Sequence, residues 1–281
     1  MPHTDVQPVI FTDLDGSLLD HCTYSAEPAD DLIRSLHEQS IAHVIPITSK
    51  TQSELTLLDH QLPLKQSIKV SENGAIIQAP PGSPLANASS PKTVVLGANY
   101  SDILQALNAL PTDLRKHIEG FADMSDAQVS QHTGLSLTQA QKARDRQASE
   151  PFLWSGPAEY LELLRVRMAA EGIQLQRGGR FHHLTGRATK RKAMHTIMQA
   201  FEAHEPSVRF ASIALGDGPN DLEMIEAADF GVIIPNPAGA AIRSSRASVR
   251  SAKKAGPEGW VLAVQEILQE LGMHWEKTQL G

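Results

Sequence analysis

The first eighty residues alternate short, wholly apolar runs with amphipathic ones. "PVIFTD" (8–13) has the unbroken hydrophobicity of a buried strand, and "EPADDLIRSLHEQS" (27–40) places Leu32, Ile33 and Leu36 on one helical face. "IAHVIPITS" (41–49) is a second buried strand and "TQSELTLLDHQL" (51–62) a second helix, while "SIKVSENGAIIQ" (67–78) is a strand broken by the turn signal Asn73-Gly74. Strands and helices of these lengths in alternation predict parallel β-α-β units with right-handed crossovers.

From residue 80 the rhythm changes. "APPGSPLANASSPK" (79–92) is rich in Pro, Gly, Ser and Ala and reads as a linker or exposed loop. Beyond it, "TVVLG" (93–97) and "PFLWS" (151–155) have strand character, and "YSDILQALNALP" (100–111) has helix character. "SLTQAQKARDRQ" (136–147) is a helix capped by Ser136, and "PAEYLELLRVRMAAEG" (157–172) is one ended by Gly172. "IQLQRGGRFHHLT" (173–185) predicts a hairpin turning at Gly178-Gly179. This is the pattern of an α+β insert with an open antiparallel sheet. The first rhythm then resumes: "TKRKAMHTIMQAFEAH" (189–204), "PNDLEMIEAA" (219–228) and "PEGWVLAVQEILQELG" (257–272) are helical, and "VRFASIALGDG" (208–218) and "DFGVIIPN" (229–236) are strands. The expected organisation is an α/β core over 1–82 and 186–281, interrupted by an α+β insert over 83–185. No internal repeat is present.

Composition narrows the class. A chain of 281 residues, 41% hydrophobic and 20% charged, is ordinary for one large globular domain or two smaller ones. A net charge of −7 argues against nucleic acid as the main partner, which requires a basic face. No apolar run approaches the roughly 20 residues that cross a bilayer, and the start of the sequence lacks a basic segment followed by an apolar one, so no secretory signal is expected. The single cysteine, Cys22, forms neither an intrachain disulfide nor a thiolate metal cluster. A cytoplasmic enzyme or binding protein fits these bounds.

Two acidic signals carry the chemistry. "FTDLDGSLLD" sets Asp13 and Asp15 directly after one buried strand; "IALGDGPNDLEM" sets Asp217, Asn220 and Asp221 after another. Each aspartate taken alone fits a turn or helix cap. In open parallel sheets, however, ligands bind outside the carboxyl ends of the strands, and four carboxylates converging there would repel one another. A hard divalent cation resolves that repulsion; Mg²⁺ suits oxygen donors, and no His or Cys pattern points to Zn²⁺. Thr48 and Ser49, ending the second strand at a helix start, offer hydroxyl and backbone donors to an oxyanion or serve as a plain cap. Lys190 opens the helix where the core resumes, and among Arg187, Arg191 and Lys192 it reads equally as a solvated lysine.

In this order the pieces resemble the haloacid dehalogenase-like phosphohydrolase superfamily, whose motifs are DxDx(S/T), a strand-end Thr or Ser, a Lys and GDxxxD. Here they read Asp13-Leu14-Asp15-Gly16-Ser17, Thr48, Lys190 and Gly216 through Asp221. The resemblance implies a Rossmann-like parallel-sheet core, an inserted α+β cap of the C2 type, and Mg²⁺ as cofactor. A closer likeness is to the mannosyl-3-phosphoglycerate phosphatase family, through "FTDLDGSLLD", "ITSKT", "ENGAIIQ", "EPFLW", "GGRFHHL", "LGDGPNDLEM" and "GPEGW". That family usually shows an Asp-Lys-Gly-Lys type segment where this chain has Thr189-Lys190-Arg191-Lys192, and Trp where it has His182.

The resemblance implies Asp13 as nucleophile, Asp15 as general acid and base, and Thr48 and Lys190 on the phosphoryl oxygens. It places Mg²⁺ on Asp13, the Asp15 carbonyl and Asp217, with Asn220 and Asp221 positioning them. A phosphorylated sugar or glycerate is the implied small-molecule substrate. Ser49, Lys50, Asn73, Gly74, Arg144, Glu150, Arg180 and His183 are the candidates for contacting it, the cations among them reading a carboxylate beside the phosphate. Broader sugar phosphatases, phosphomutases and a silent sugar-phosphate-binding module share the same motifs. The sequence assigns no oligomeric state.

Overall fold

The computed structural model of the chain describes residues 6–58, 62–178, 180–237 and 241–275. β1 (Val6–Thr12), α1 (Ala29–Glu38), β2 (His43–Pro46) and α2 (Gln52–Leu58) come first, followed by β3 (Lys69–Ser71), β4 (Ile76–Ala79) and β5 (Lys92–Val95). Then come α3 (Tyr100–Asn108), α4 (Thr112–Arg115), β6 (Ile118–Gly120), α5 (Asp126–Thr133), α6 (Leu137–Arg144) and β7 (Ser149–Trp154). α7 (Ala158–Ala170), β8 (Gln174–Gly178) and β9 (Phe181–Thr185) complete the insert. α8 (Lys190–His204), β10 (Arg209–Gly216), α9 (Leu222–Ala227), β11 (Phe230–Ile233), β12 (Arg250–Ser251) and α10 (Gly256–Glu270) return to the core.

The central sheet runs β12-β11-β10-β1-β2 and is parallel throughout, so the fold is α/β as the alternating rhythm predicts. Its strands are apolar without alternation because both faces are covered. Ile10 packs with Leu32, Ile33 and Leu36 of α1 and with Trp260 and Val264 of α10; Val9 and Phe11, pointing the other way, pack with Ala193, Ile197 and Phe201 of α8. The register aligns the strand ends: Thr12 lies beside both Leu215 and Pro46, and Gly216 beside Ile233. Asp13, Thr48, Asp217 and Asn236 therefore emerge along one edge.

Ile47 bridges to Val70, joining the core to a small antiparallel sheet, β3-β4-β5. β5 belongs by composition to the stretch after residue 80, yet it pairs with β4 in full register. The Pro- and Gly-rich segment between them is a hairpin connection, folded on itself through Gly82 N–H to the Asn87 carbonyl and Ala86 N–H to that of Ser83.

The insert carries its own antiparallel sheet, β6-β7-β9-β8. α3 and α7 cover one face, with Ile103, Leu107, Leu164 and Met168 packed on Phe152 and Leu184. α5 and α6 bring Val129, Ala140 and Ala143 to Phe121, beside Leu153 and Phe181 of the other face. Ser136 caps α6 as expected, and Ser125 caps α5 through the same reciprocal bonds with a Gln three residues on. The predicted turn residue Gly179 lies outside the described residues. Cys22 is exposed. The basic stretch before α10 is a solvated surface in which Arg250 pairs with Glu270, and Lys253 and Lys254 with Glu266 and Glu258. Among the described residues no helix is long and apolar enough to cross a membrane.

Candidate active site

The chain leaves β1 into a turn that requires glycine. Gly16 has φ +85°, and a Cβ there would fall 2.6 Å from Asp217 Oδ2. The turn delivers Ser17 Oγ to Asp217 Oδ1 at 2.9 Å, while Asn236 Nδ2 donates to Asp217 Oδ2 at 2.6 Å. Asp221 Oδ2 accepts the backbone N–H groups of Asp217 (3.1 Å) and Gly218 (2.8 Å), closing the strand-end loop on itself. Lys190, only 1% exposed, donates to Asp13 Oδ1 at 2.5 Å and to Asp221 Oδ1 at 2.6 Å. It is a buried tie between both acidic motifs and no surface lysine.

Burial alone would push the Lys190 ammonium toward its neutral form, but Asp13 and Asp221 outweigh it and raise its pKa. Asp13 is also held well above the usual carboxylate range: burial raises it against the pull of Lys190, and Asp221, Asp217 and Asp15 add to the rise. Asp217 is raised by burial and by Asp221. Clustered acids with a single ammonium among them are short of positive charge. Asp13, Asp217 and Asp221 each offer a carboxylate oxygen, all within 4.8 Å of one another, with no nitrogen or sulfur donor among them. That hard-oxygen set fits Mg²⁺. Among the described residues no other trio of ligating side chains converges in this way.

Asp15 stands nearer the mouth, its side chain 34% exposed, with Oδ2 2.8 Å from Lys50 Nζ and a buried Oδ1 that meets no partner among the described residues. Burial would lower the Lys50 pKa, but Asp15 and then Glu54 reverse this and raise it. Thr48 is buried; its hydroxyl accepts from the Lys50 N–H at 3.2 Å and keeps its own proton to donate.

Glu72, Asn73 and Gly74 form a left-handed turn, with φ 52°, 58° and 96°. The turn holds the strand-end loop from below, through Glu72 N–H to the Lys50 carbonyl (2.9 Å) and Asn73 N–H to that of Thr48 (2.8 Å). Several of the expected site residues have protein partners here. Asn220 Nδ2 donates to Asn73 Oδ1 at 2.9 Å. Asn73 is buried, and its side-chain oxygen is taken up by this bond. Gly74 packs against the start of α8, where a Cβ would fall 2.3 Å from the Thr189 carbonyl oxygen, so its function is close approach.

Three insert residues expected to contact substrate are engaged within the insert. Glu150 lies on the face covered by α3 and α7, accepting from Tyr100 Oη (2.7 Å) and Ala122 N–H (2.8 Å), its pKa raised first by burial. Arg144 binds the Phe121 carbonyl and Asp126, and Arg180 donates to the His132 carbonyl. Ser49 contributes its carbonyl to Arg146, 3.0 Å away.

His183 lies opposite Pro151 and Gln176, on the face of β7 and β9 that also carries Ser149. That face abuts the core, since Ser149 Oγ donates to Glu72 at 2.7 Å. Among the described residues His183 Nδ1 is buried without a partner. Burial first, then the neighbouring Arg146 and His182, push its pKa down to about 3, so the ring is neutral. His182 packs on Phe152, ring centroids 5.5 Å apart.

Sequence reasoning missed Ser17, Asn236, Glu72 and Arg146. Ser17 sits inside the first acidic motif and Asn236 at a strand end, so position alone marked both. Glu72 clasps the insert through Gln147 N–H, Ala148 N–H and Ser149 Oγ, and Arg146 crosses back to Ser49; no local pattern marks either one.

Residues 176–256, which include Lys190, Asp217, Asn220 and Asp221, match the family of haloacid dehalogenase-like hydrolases. Solved structures agree over nearly the whole chain. SMU.1108c from Streptococcus mutans UA159 is 18% identical, with TM-score 0.65 over 93% of this chain and 98% of that one. BT1666 from Bacteroides thetaiotaomicron, described among phosphatases of this superfamily, is 16% identical, with TM-score 0.64 over 97% of each chain. The sucrose-phosphatase from Synechocystis sp. PCC6803, solved with sucrose and phosphate, is 14% identical, with TM-score 0.61 over 95% of this chain and 98% of that one. The fold is that of these solved structures, and the segment bearing Lys190 and the second acidic motif is similar to the haloacid dehalogenase-like hydrolases.

Proposed function

We propose that the chain is a cytoplasmic, Mg²⁺-dependent phosphatase of phosphorylated sugars, with mannosyl-3-phosphoglycerate or its glucosyl counterpart as substrate. The observation that carries this reading is the buried Lys190, tying Asp13 to Asp221 beside Asp217, with Asp15 at the mouth. Asp13, Asp217 and the Asp15 carbonyl would hold Mg²⁺, which when bound neutralises charge between the acids and the phosphoryl group. An Asp13 oxygen attacks phosphorus, the bond from phosphorus to the sugar oxygen breaks, and Asp15 gives that oxygen its proton. Water then cleaves the aspartyl-phosphate, its proton passes to Asp15, and inorganic phosphate leaves a restored Asp13. Lys190 and the Thr48 hydroxyl face the phosphoryl oxygens during both displacements. Asp221, bound by Lys190 and two backbone amides, keeps the strand-end loop in place.

A broader sugar-phosphate phosphatase is the second reading, and one observation favours it. Arg144 and Arg180, the arginines expected to read a glycerate carboxylate, are both engaged inside the insert. Lys50 is paired with Asp15, Arg146 is bound to Ser49 and Ser149, and His183 is neutral, so no cation is set aside for a second anion. Phosphate release from mannosyl- and glucosyl-3-phosphoglycerate, hexose phosphates and p-nitrophenyl phosphate, with Mg²⁺ and with chelator, tests both readings. A kcat/KM for a glycosyl-3-phosphoglycerate about a hundredfold above the hexose phosphates supports the specific reading. Comparable values leave the broader one, and no release from any of them removes both.

A further inference from the structure

Between the Asp13–Asp15 turn and α1 the chain passes through Asp20-His21-Cys22-Thr23-Tyr24-Ser25, a loop closed on itself. Asp20 Oδ1 accepts from the N–H groups of Cys22 (3.0 Å) and Thr23 (2.8 Å) and from the Thr23 hydroxyl (3.0 Å). The Tyr24 N–H donates to the Asp20 carbonyl (3.0 Å), and the Asp20 N–H to that of Ser25 (2.8 Å). These bonds hold Tyr24 at φ +56°, a left-handed backbone that a bulky residue seldom adopts and keeps only where its surroundings fix it.

Packing does not account for that strain. Tyr24 is 48% exposed and joins none of the apolar clusters of the core or the insert. What the loop fixes is the place of an aromatic ring at the mouth of the site. Lys50 Nζ lies 5.5 Å from the Tyr24 ring centroid and 2.8 Å from Asp15 Oδ2. The ring therefore stands beside the carboxylate that, in the proposed reaction, gives its proton to the departing oxygen. Whatever that oxygen is attached to comes to lie next to Tyr24.

We propose that Tyr24 is a specificity residue whose exposed ring receives the apolar face of the sugar in the leaving group. This rests on the phosphatase reading and deepens it. A pyranose carries C–H groups on its face and hydroxyls at its rim. The electron-rich face of a tyrosine attracts the former and leaves the latter to water and polar side chains. A ring already held in place offers this contact at little cost in conformational entropy. Acyclic phosphates have no such face, so Tyr24 favours ring-bearing esters over linear ones.

Two measurements on Tyr24→Ala with native circular dichroism test this. The first is initial rates on glucose 6-phosphate and acetyl phosphate with Mg²⁺. The second is calorimetric binding of glucose 6-phosphate and inorganic phosphate in an Asp13→Asn background, which needs no turnover. KM for glucose 6-phosphate is expected to rise about tenfold and that for acetyl phosphate to stay within about twofold. Glucose 6-phosphate binding is expected to weaken about tenfold and inorganic phosphate binding less than about twofold. Tyr24→Phe, which keeps the ring, is expected to hold KM for glucose 6-phosphate within about threefold. Equal rises in KM for both substrates overturn the proposal, because Tyr24 then acts only through Lys50 and Asp15. An unchanged KM for glucose 6-phosphate in an active enzyme removes the sugar contact and leaves the phosphatase reading standing. Glucose 6-phosphate binding that depends on Tyr24, in a chain that releases no phosphate, removes the phosphatase reading and supports the contact.

Discussion

Lys190 and His183 are both buried basic side chains, one at the core's strand ends and one on the insert's face, and they sit in opposite protonation states. Burial disfavours charge at each. Lys190 stands between Asp13 and Asp221, and their carboxylates hold its proton. His183 has Arg146 and His182 for neighbours, and its proton is expelled. At the core's strand ends Lys190 neutralises part of the acidic cluster, and the acids remain short of positive charge. In the insert Arg144 and Arg180 are engaged by Asp126 and the His132 carbonyl, and the face toward the core carries the neutral ring of His183. On the proposed function, chemistry belongs to the first region and recognition chiefly to the second.

The sharpest way to break that contrast is Asp13→Asn, expected to lower kcat for every phosphomonoester by about 10⁴-fold or more, with unchanged circular dichroism. Residual activity within tenfold of wild type would refute attack by Asp13. Lys190→Met leaves Asp13 and Asp221 buried without their cation. It should cost about 3–5 kcal/mol in urea unfolding without added metal and abolish turnover. A variant as stable as wild type would show that the tie contributes nothing.

His183→Phe should raise KM for hexose phosphates about tenfold while leaving p-nitrophenyl phosphate within threefold, because an aryl ester has no sugar hydroxyl to read. His183 also has a stability signature. Its folded pKa is near 3 against an ordinary 6.5, so between these values the unfolded chain binds more protons than the folded one. Stability should fall as pH drops from 6.5 toward 3, by up to about 1.4 kcal/mol per unit from this group, and His183→Gln should flatten that slope. An unchanged slope in the urea midpoints would place the ring in a charged state. The smallest effect is expected from Arg180→Ala: a KM within about twofold of wild type on any sugar phosphate, since its guanidinium is engaged by the His132 carbonyl. A tenfold rise would return Arg180 to the crevice and restore the carboxylate-reading role.

Much of the core was legible because its signals are local. The apolar runs of β1, β2 and β10 are continuous because helices cover both faces, and the acids after β1 and β10 stand out against that background. The insert was less legible. β6 is three residues long and carries little periodicity, and β5 has the composition of the insert but the hydrogen bonds of the core. Among the site residues, Asn220 was drawn to the acids by proximity in sequence, whereas the fold turns it to Asn73 and brings Asn236 to Asp217 instead.

The sequence by itself determined the elements, the parallel sheet and the two acidic motifs, since each depends on residues within a few positions of one another. Only the tertiary structure decided which of four neighbouring basic residues is buried, which asparagine holds Asp217, and which insert cations are already engaged. Lys190 meets Asp13 across 177 positions and Asn220 meets Asn73 across 147. A contact of that span depends on the packing of whole elements, and burial then fixes the charge of each group through the partners that packing supplies.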